Sequence, residues 1–267
     1  MTELIFLGIG AITPERPGDH TAMLIIHGQN RILLDAGPAV MMQLDHVGVP
    51  PDQISHIYFS HHHGDHILGS PMFLFYHRMR YLMGARPTLE GWLMLVETVY
   101  PNYLPKVAEE LAFLFLEEGE TEPLPAIDDI SITLTQTQHV PELPAYAARF
   151  DFAPTDTTPA FSIVYSGDTR PTEEMVNLAQ GADLLIHEAT AAESLNMRNG
   201  GVHSTAREAG QVAATAGVGA LALVHRMPGP PEAWIQEASE AFGGLIFAPQ
   251  AGDRLRFPLH YTTTSNF

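Results

Sequence analysis

Residues 61–66 read His61-His62-His63-Gly64-Asp65-His66, directly after the apolar run Ser55-His56-Ile57-Tyr58-Phe59-Ser60. The run follows Pro50-Pro51 and has the length of a buried strand, so the imidazoles and the carboxylate sit on the loop at its end. A scaffold that packs under such a loop can aim several donors at one point. Imidazole and carboxylate together suit zinc, with manganese or iron as alternatives. In an extended turn His61 and His63 point the same way, and Gly64 lets Asp65 and His66 fold back toward a second point. That spacing predicts two adjacent metal ions. A merely solvated His-rich tract would lie in low-complexity surroundings, which are absent here.

The chain has 267 residues, 45% of them hydrophobic, which is enough for one large domain over 1–267 with a substantial core. Cysteine is absent, so any metal must be held by nitrogen and oxygen, and a reducing, cytoplasmic setting is expected. Met1-Thr2-Glu3-Leu4-Ile5-Phe6-Leu7-Gly8 has no basic leader and reads as a first strand rather than a signal peptide. No apolar run is long enough to span a bilayer, so no membrane partner is expected. The formal net charge is -18 and Lys106 is the only lysine, which repels polyanions and disfavours RNA as a partner.

Strand-like runs occur at Leu4 to Leu7, Ala22 to His27 and Arg31 to Asp35, then at Ile130 to Gln138, Ala145 to Phe152 and Phe161 to Ser166. Helix and strand alternate from Thr172 onward, which predicts a mixed sheet with helices outside. Between Pro71 and Gly119 apolar and aromatic residues recur at roughly helical spacing, predicting two or three helices. This helical, apolar segment at 71–119 reads as a layer on the sheet, a homodimer interface, or a lid over a pocket.

Further polar residues each end an apolar run: His139, Asp168, the pair His187-Glu188, and His225. Strand ends along one sheet edge converge on a single site. With the His cluster, this order resembles the metallo-β-lactamase superfamily, whose zinc hydrolases carry His-x-His-x-Asp-His, then a later His, an Asp and a final His. The resemblance spans nearly the whole chain and implies an α/β (α+β) fold. That fold is a four-layer αββα sandwich of two mixed sheets with outer helices. It also implies that His61, His63 and His139 hold one divalent ion, Asp65, His66 and His225 the second, and that Asp168 bridges both. Asp35, in Leu33-Leu34-Asp35-Ala36-Gly37, is expected to orient the metal loop without being a ligand, and His62 to point away from the metals.

Within that superfamily the chain resembles ribonuclease Z and its phosphodiesterase relatives. The likeness lies in Glu3 to Gly8, in Tyr165-Ser166-Gly167-Asp168-Thr169-Arg170-Pro171, and in His187-Glu188-Ala189-Thr190 with His203-Ser204-Thr205. It implies a binuclear zinc phosphodiesterase using a metal-bridging hydroxide. In this reading Asp65 accepts a proton from the attacking water, His203 protonates the leaving oxygen, and Glu188 orients His203. Arg170 and Arg226 each follow a ligand candidate and are candidates for contact with a substrate phosphate or for surface salt bridges.

The family's Pro-x-Lys-x-Arg-Asn loop is replaced here by Pro14-Glu15-Arg16-Pro17-Gly18-Asp19-His20, and the basic arm that docks transfer RNA has no counterpart. The expected substrate is therefore a small phosphodiester or ester, with tRNA 3′-processing disfavoured. Two alternatives use the same residues: a carboxylic ester or lactone hydrolase, and a non-catalytic carrier that keeps the metal site for binding.

Overall fold

Most stretches that end in a candidate ligand are short strands with buried ends, whereas the one before His139 is eight residues long and alternates buried with part-exposed positions. The structure, a computed structural model, describes residues 2–262 except 17, 77, 79, 156, 157, 196, 198 and 199. Its strands begin with Thr2–Gly8 (β1), Ala22–His27 (β2), Asn30–Leu34 (β3), His56–Tyr58 (β4), Arg80–Gly84 (β5) and Leu111–Phe115 (β6). They continue with Thr121–Pro123 (β7), Ile130–Thr137 (β8), Ala145–Phe152 (β9), Phe161–Tyr165 (β10), Leu184–Glu188 (β11) and Ala220–Val224 (β12). Leu245–Phe247 (β13), Arg254–Phe257 (β14) and His260–Thr262 (β15) complete the set. The α-helices are Val40–His46 (α1), Gly64–Ile67 (α2), Arg86–Val99 (α3), Leu104–Val107 (α4), Glu173–Ala179 (α5), Ala206–Ala216 (α6) and Pro231–Ser239 (α7).

Two compact units result. The first comprises 1–12, 16–116 and 250–267, the second 13–15 and 117–249. In the first unit, eight strands run in the order β15-β14-β1-β2-β3-β4-β5-β6. β3, β4, β5 and β6 are successive parallel neighbours, and parallel strands covered on both faces read as unbroken apolar runs. Ile32, Leu33, Leu34, Ile57 and Leu82 are accordingly buried, and Leu33, Ile57 and Leu82 share a cluster with Trp92 of α3. The Trp92 indole donates to Ser70 Oγ at 2.8 Å, which satisfies its one polar atom inside an apolar core.

In the second unit seven strands run in the order β13-β12-β11-β10-β9-β8-β7. β10, β11 and β12 are parallel, whereas β9 is antiparallel to both β8 and β10. It follows that β8, β10, β11 and β12 all point the same way and release the chain at one edge of this sheet. Helix α6 starts at a capping box in which Thr205 Oγ1 accepts from the Glu208 amide and the Glu208 side chain returns to the Thr205 amide. Such a cap stabilises a helix start by about 1 kcal/mol. Its buried face is built from Ala206, Ala209, Val212, Ala213 and Ala216, and Trp234 of α7 lies in the same cluster.

The segment 71–119 departs from the helical expectation. It contains the long helix α3 and the short α4, but also the strands β5 and β6. In Arg80 to Gly84 and Leu111 to Phe115 the apolar residues form continuous runs, and buried parallel strands and helices cannot be told apart by periodicity over so short a window. No helix among the described residues is long and apolar enough to cross a membrane.

Candidate metal centre

The first unit gathers one set of donors. β3 ends at Leu34, and the next residue, Asp35, is fully buried with φ 55°. A left-handed backbone at a non-glycine residue costs roughly 1–3 kcal/mol and persists where neighbours over-determine it. Here they do. Asp35 Oδ1 accepts from the Ser60 amide at 2.8 Å, while Oδ2 accepts from the Ser60 hydroxyl at 2.7 Å and from His66 Nδ1 at 2.8 Å. With its Nδ1 proton committed to the carboxylate, His66 presents a bare Nε2.

Ser60 Oγ also lies 3.0 Å from His61 Nδ1, and His61 Nε2 stands 3.1 Å from His63 Nδ1, so both nitrogens address one point. The turn of α2 lifts Asp65 and His66 beside them, with Asp65 Oδ2 3.8 Å from His66 Nε2. The Ala36 amide donates to the His66 carbonyl at 2.6 Å. A Cβ at Gly37 would come within 2.6 Å of the Asp65 carbonyl, so glycine is what lets the metal loop seat on the end of β3. His62 points elsewhere and packs its ring on Gly91 of α3. The expected role of Asp35 in orienting this loop is thus visible in its hydrogen bonds.

The second unit gathers another set at the common edge of β8, β10, β11 and β12. His139 follows β8, donates Nδ1–H to the Val202 carbonyl at 3.0 Å and turns Nε2 to within 3.8 Å of Asp168 Oδ2. Asp168 follows β10 and is buried. Its main chain is fixed by the Thr137 hydroxyl, which donates to the Asp168 carbonyl at 2.9 Å. His225 follows β12 with φ 53° and places Nε2 3.4 Å from Asp168 Oδ2. Asp168, His203 and His225 offer ligand atoms within 4.8 Å of one another, a group able to hold a metal ion.

Glu188 closes β11 and is fully buried. It accepts from the Thr169 amide at 2.7 Å, from the Thr190 hydroxyl at 2.7 Å, from the Thr190 amide at 3.3 Å and from His203 Nδ1 at 2.9 Å. A carboxylate held by this many donors is fixed in place and orients what it holds. His203 keeps part of its ring exposed, with 19% of the side chain accessible. Its neighbour on the sequence, Ser204, ties it down by donating to the Thr169 carbonyl at 2.7 Å.

Three sequence candidates have other employment. His187 is fully buried and gives its Nδ1 proton to the Glu188 carbonyl at 2.7 Å, and burial lowers its pKa below the usual imidazole value. It is a neutral core residue beside the site. Arg226 is buried, hydrogen-bonds the Pro249 carbonyl and lies over the Trp234 ring, so it is neither a surface salt bridge nor turned outward toward a substrate. Arg170 is exposed and binds Gln138 Oε1 at 2.9 Å. Sequence reasoning overlooked Ser60 and Thr190. The available signal was a hydroxyl placed just before His61 and just after Glu188, beside groups that need a fixed tautomer.

The donors in both sets are imidazole nitrogen and carboxylate oxygen, the chemistry that suits zinc and related divalent ions. A family model described as anti-Pycsar protein Apyc1 matches residues 2–225. The chain belongs to the Apyc1 family. Relatives named ribonuclease Z, the resemblance carried by its motifs, are also found for this Apyc1-family chain. The ribonuclease Z of Natronomonas pharaonis is 29% identical over 301 residues, covering 95% of this chain and 97% of the relative. The ribonuclease Z of Thermococcus sibiricus is 28% identical over 310 residues, covering 99% of each.

Solved structures agree. The metallo-β-lactamase fold protein YhfI from Bacillus subtilis superposes with a TM-score of 0.77 at 23% identity, covering 95% of this chain and 98% of that one. Human tRNase Z, short form, gives 0.73 at 20% identity, covering 96% and 100%. The Apyc1-family chain therefore has the metallo-β-lactamase fold expected from its motifs. It is a metal-dependent hydrolase of the ribonuclease Z-like branch of that superfamily.

Proposed function

We propose that this Apyc1-family chain is a binuclear zinc phosphodiesterase whose two donor sets serve one catalytic centre. In this reading His61, His63 and His139 would hold one cation, Asp65, His66 and His225 the second, and Asp168 both. Manganese or iron are the alternatives with the same donor preference. When bound, such a pair lowers the pKa of a water and offsets charge on the phosphoryl oxygens.

The observation that carries the reading is the His203–Glu188 pair beside Asp168 and His225. A fully buried carboxylate that accepts Nδ1–H at 2.9 Å fixes the orientation of the His203 ring, and in this reading His203 Nε2 is the atom that delivers a proton. As the water oxygen bonds to phosphorus and the P–O bond breaks, the proton on His203 Nε2 passes to the departing oxygen. Asp65 takes the proton that the water loses. Glu188 keeps the ring oriented.

The substrate favoured is a small phosphodiester. A net charge of -18 with Lys106 as the only lysine opposes docking of a folded polyanion, and the lysine-bearing loop that meets transfer RNA has no equivalent at Pro14 to His20. Relatives named ribonuclease Z and tRNase Z act on RNA by name, so precursor transfer RNA belongs in the test. A cytosolic enzyme is expected, in keeping with the absence of cysteine.

The test is a panel of bis-p-nitrophenyl phosphate, small phosphodiesters, phosphomonoesters, p-nitrophenyl carboxylates, lactones and precursor transfer RNA. Protein would be reconstituted separately with zinc and with manganese. Hydrolysis of the phosphodiesters is the expected result. Turnover of carboxylates or lactones alone would replace this reading with an ester hydrolase. Metal-dependent binding without turnover of anything would replace it with a carrier.

A further inference from the structure

Ser60 and Thr190 do the same chemical job, one in each unit. The Ser60 hydroxyl donates to Asp35 Oδ2 and lies 3.0 Å from His61 Nδ1, while the same carboxylate oxygen holds His66 Nδ1. The Thr190 hydroxyl donates to Glu188 Oε2 at 2.7 Å and lies 2.8 Å from His225 Nδ1, while the other carboxylate oxygen holds His203 Nδ1. Each unit thus has one buried carboxylate, one imidazole bonded to it directly and one imidazole reached through a hydroxyl.

The proton count fixes the tautomers. A hydroxyl has a single proton. With that proton on the carboxylate, its oxygen can only accept from the imidazole, so His61 and His225 carry Nδ1–H and present Nε2 as a lone pair. The backbone explains why Thr190 can reach both partners. β11 and β12 are parallel neighbours with Glu188 opposite Val224, and the Ala189 amide donates to the Val224 carbonyl at 2.9 Å. Residue 190 therefore leaves its strand one position beyond the level of His225, and its hydroxyl lies 2.8 Å from His225 Nδ1.

We propose that Thr190 is a positioning residue that ties the proton donor His203 and the ligand His225 to one carboxylate, with Ser60 its counterpart for His66 and His61 on Asp35. The proposal rests on the roles given to His203 and His225 above. Hydrogen bonds in a chain polarise one another. Density drawn from His225 Nε2 makes its Nδ1–H a better donor to Thr190, whose hydroxyl then donates more strongly to Glu188. The firmness with which Glu188 holds His203 follows the state of His225.

Thr190→Val and Thr190→Ser test this. Valine keeps the shape and removes the hydroxyl, while Glu188 retains the Thr169 amide and the amide of residue 190. Three quantities are read: zinc affinity by chelator competition, the imidazole tautomer of His225 by nitrogen-15 NMR of the metal-free protein, and kcat and KM on phosphodiesters with good and poor leaving groups. Thr190→Val is expected to weaken zinc binding about 10–100-fold and to mix the His225 tautomers. It should also lower kcat more than it raises KM, most for poor leaving groups. Thr190→Ser is expected to restore all three. Wild-type zinc affinity and a single tautomer in Thr190→Val would overturn the proposal. So would a serine variant as impaired as the valine one, which would trace the effect to the lost methyl. If every form fails to hydrolyse any phosphodiester while the zinc and tautomer effects appear as expected, the tie through Thr190 stands and the phosphodiesterase reading falls.

Discussion

The imidazole of His62 rests on Gly91: a Cβ built at position 91 would lie 2.6 Å from His62 Cγ and 2.7 Å from its Nδ1. Glycine inside a helix costs about 1 kcal/mol relative to alanine, so Gly91 is an unfavourable choice for α3 taken alone. The ring contact gives it a reason. It clamps the middle of the His61 to His66 loop from the side away from the donors.

Two effects of opposite sign compete in Gly91→Ala. The gain in helix propensity is about 1 kcal/mol, whereas forcing a methyl into a filled space costs roughly 1–3 kcal/mol. We expect the second to win, with a lower urea midpoint and weaker zinc retention as the loop shifts. An increase in thermal stability with unchanged zinc affinity would show that the ring moves aside freely.

Asp168 faces His139, His203 and His225 within 4 Å. Asp168→Ala is expected to lower bound metal and abolish hydrolysis together, measured by elemental analysis and by turnover of bis-p-nitrophenyl phosphate. Full metal occupancy in this variant would remove Asp168 from the ligand set.

His203→Ala should behave differently from Asp168→Ala. Losing a proton donor costs typically 10²–10⁴-fold in rate, so kcat is expected to fall over that range, roughly, with metal content preserved. The deficit should shrink for p-nitrophenolate, which leaves without help, and grow for alkoxides. Equal loss of metal would make His203 a ligand or a structural residue.

His187 has a pKa lowered by burial, which sets a sign for stability against pH. The unfolded chain takes up a proton near its ordinary value of about 6.5, while the folded form does not. Stability is therefore lost as pH falls below that point, at no more than about 1.4 kcal/mol per pH unit for one group. With chelator present, His187→Leu should show a shallower fall of the urea midpoint between pH 6.5 and pH 5 than the parent. Identical slopes would assign the acid sensitivity to other groups.

Much of this was legible before any coordinates. The runs that become β2 and β9 have the predicted bounds, and the strands carrying Asp35, His139, Asp168, Glu188 and His225 end where an apolar run meets a polar residue. A buried strand followed by a donor leaves a sharp compositional edge. What stayed hidden depends on direction rather than type. Arg226 looks like a phosphate ligand by position, yet it turns inward onto Trp234. The hydroxyls of Ser60 and Thr190 gave no periodic signal, because their importance lies in which imidazole nitrogen they face. In 71–119 the strands β5 and β6 were masked by their own hydrophobicity, since the continuous apolar runs of the largely buried β5 and the part-buried edge strand β6 lack the alternation that identifies a strand.

β1 pairs with β2 on one side and with β14 on the other, so one neighbour of the first strand is supplied only by residues 254–257. During translation that edge of Thr2 to Ile5 stays open until the ribosome has passed Phe257, whereas 117–249 form an unbroken stretch that is complete earlier. A premature stop before codon 254 would release a polypeptide with an apolar, unpaired strand edge, the form most prone to aggregate.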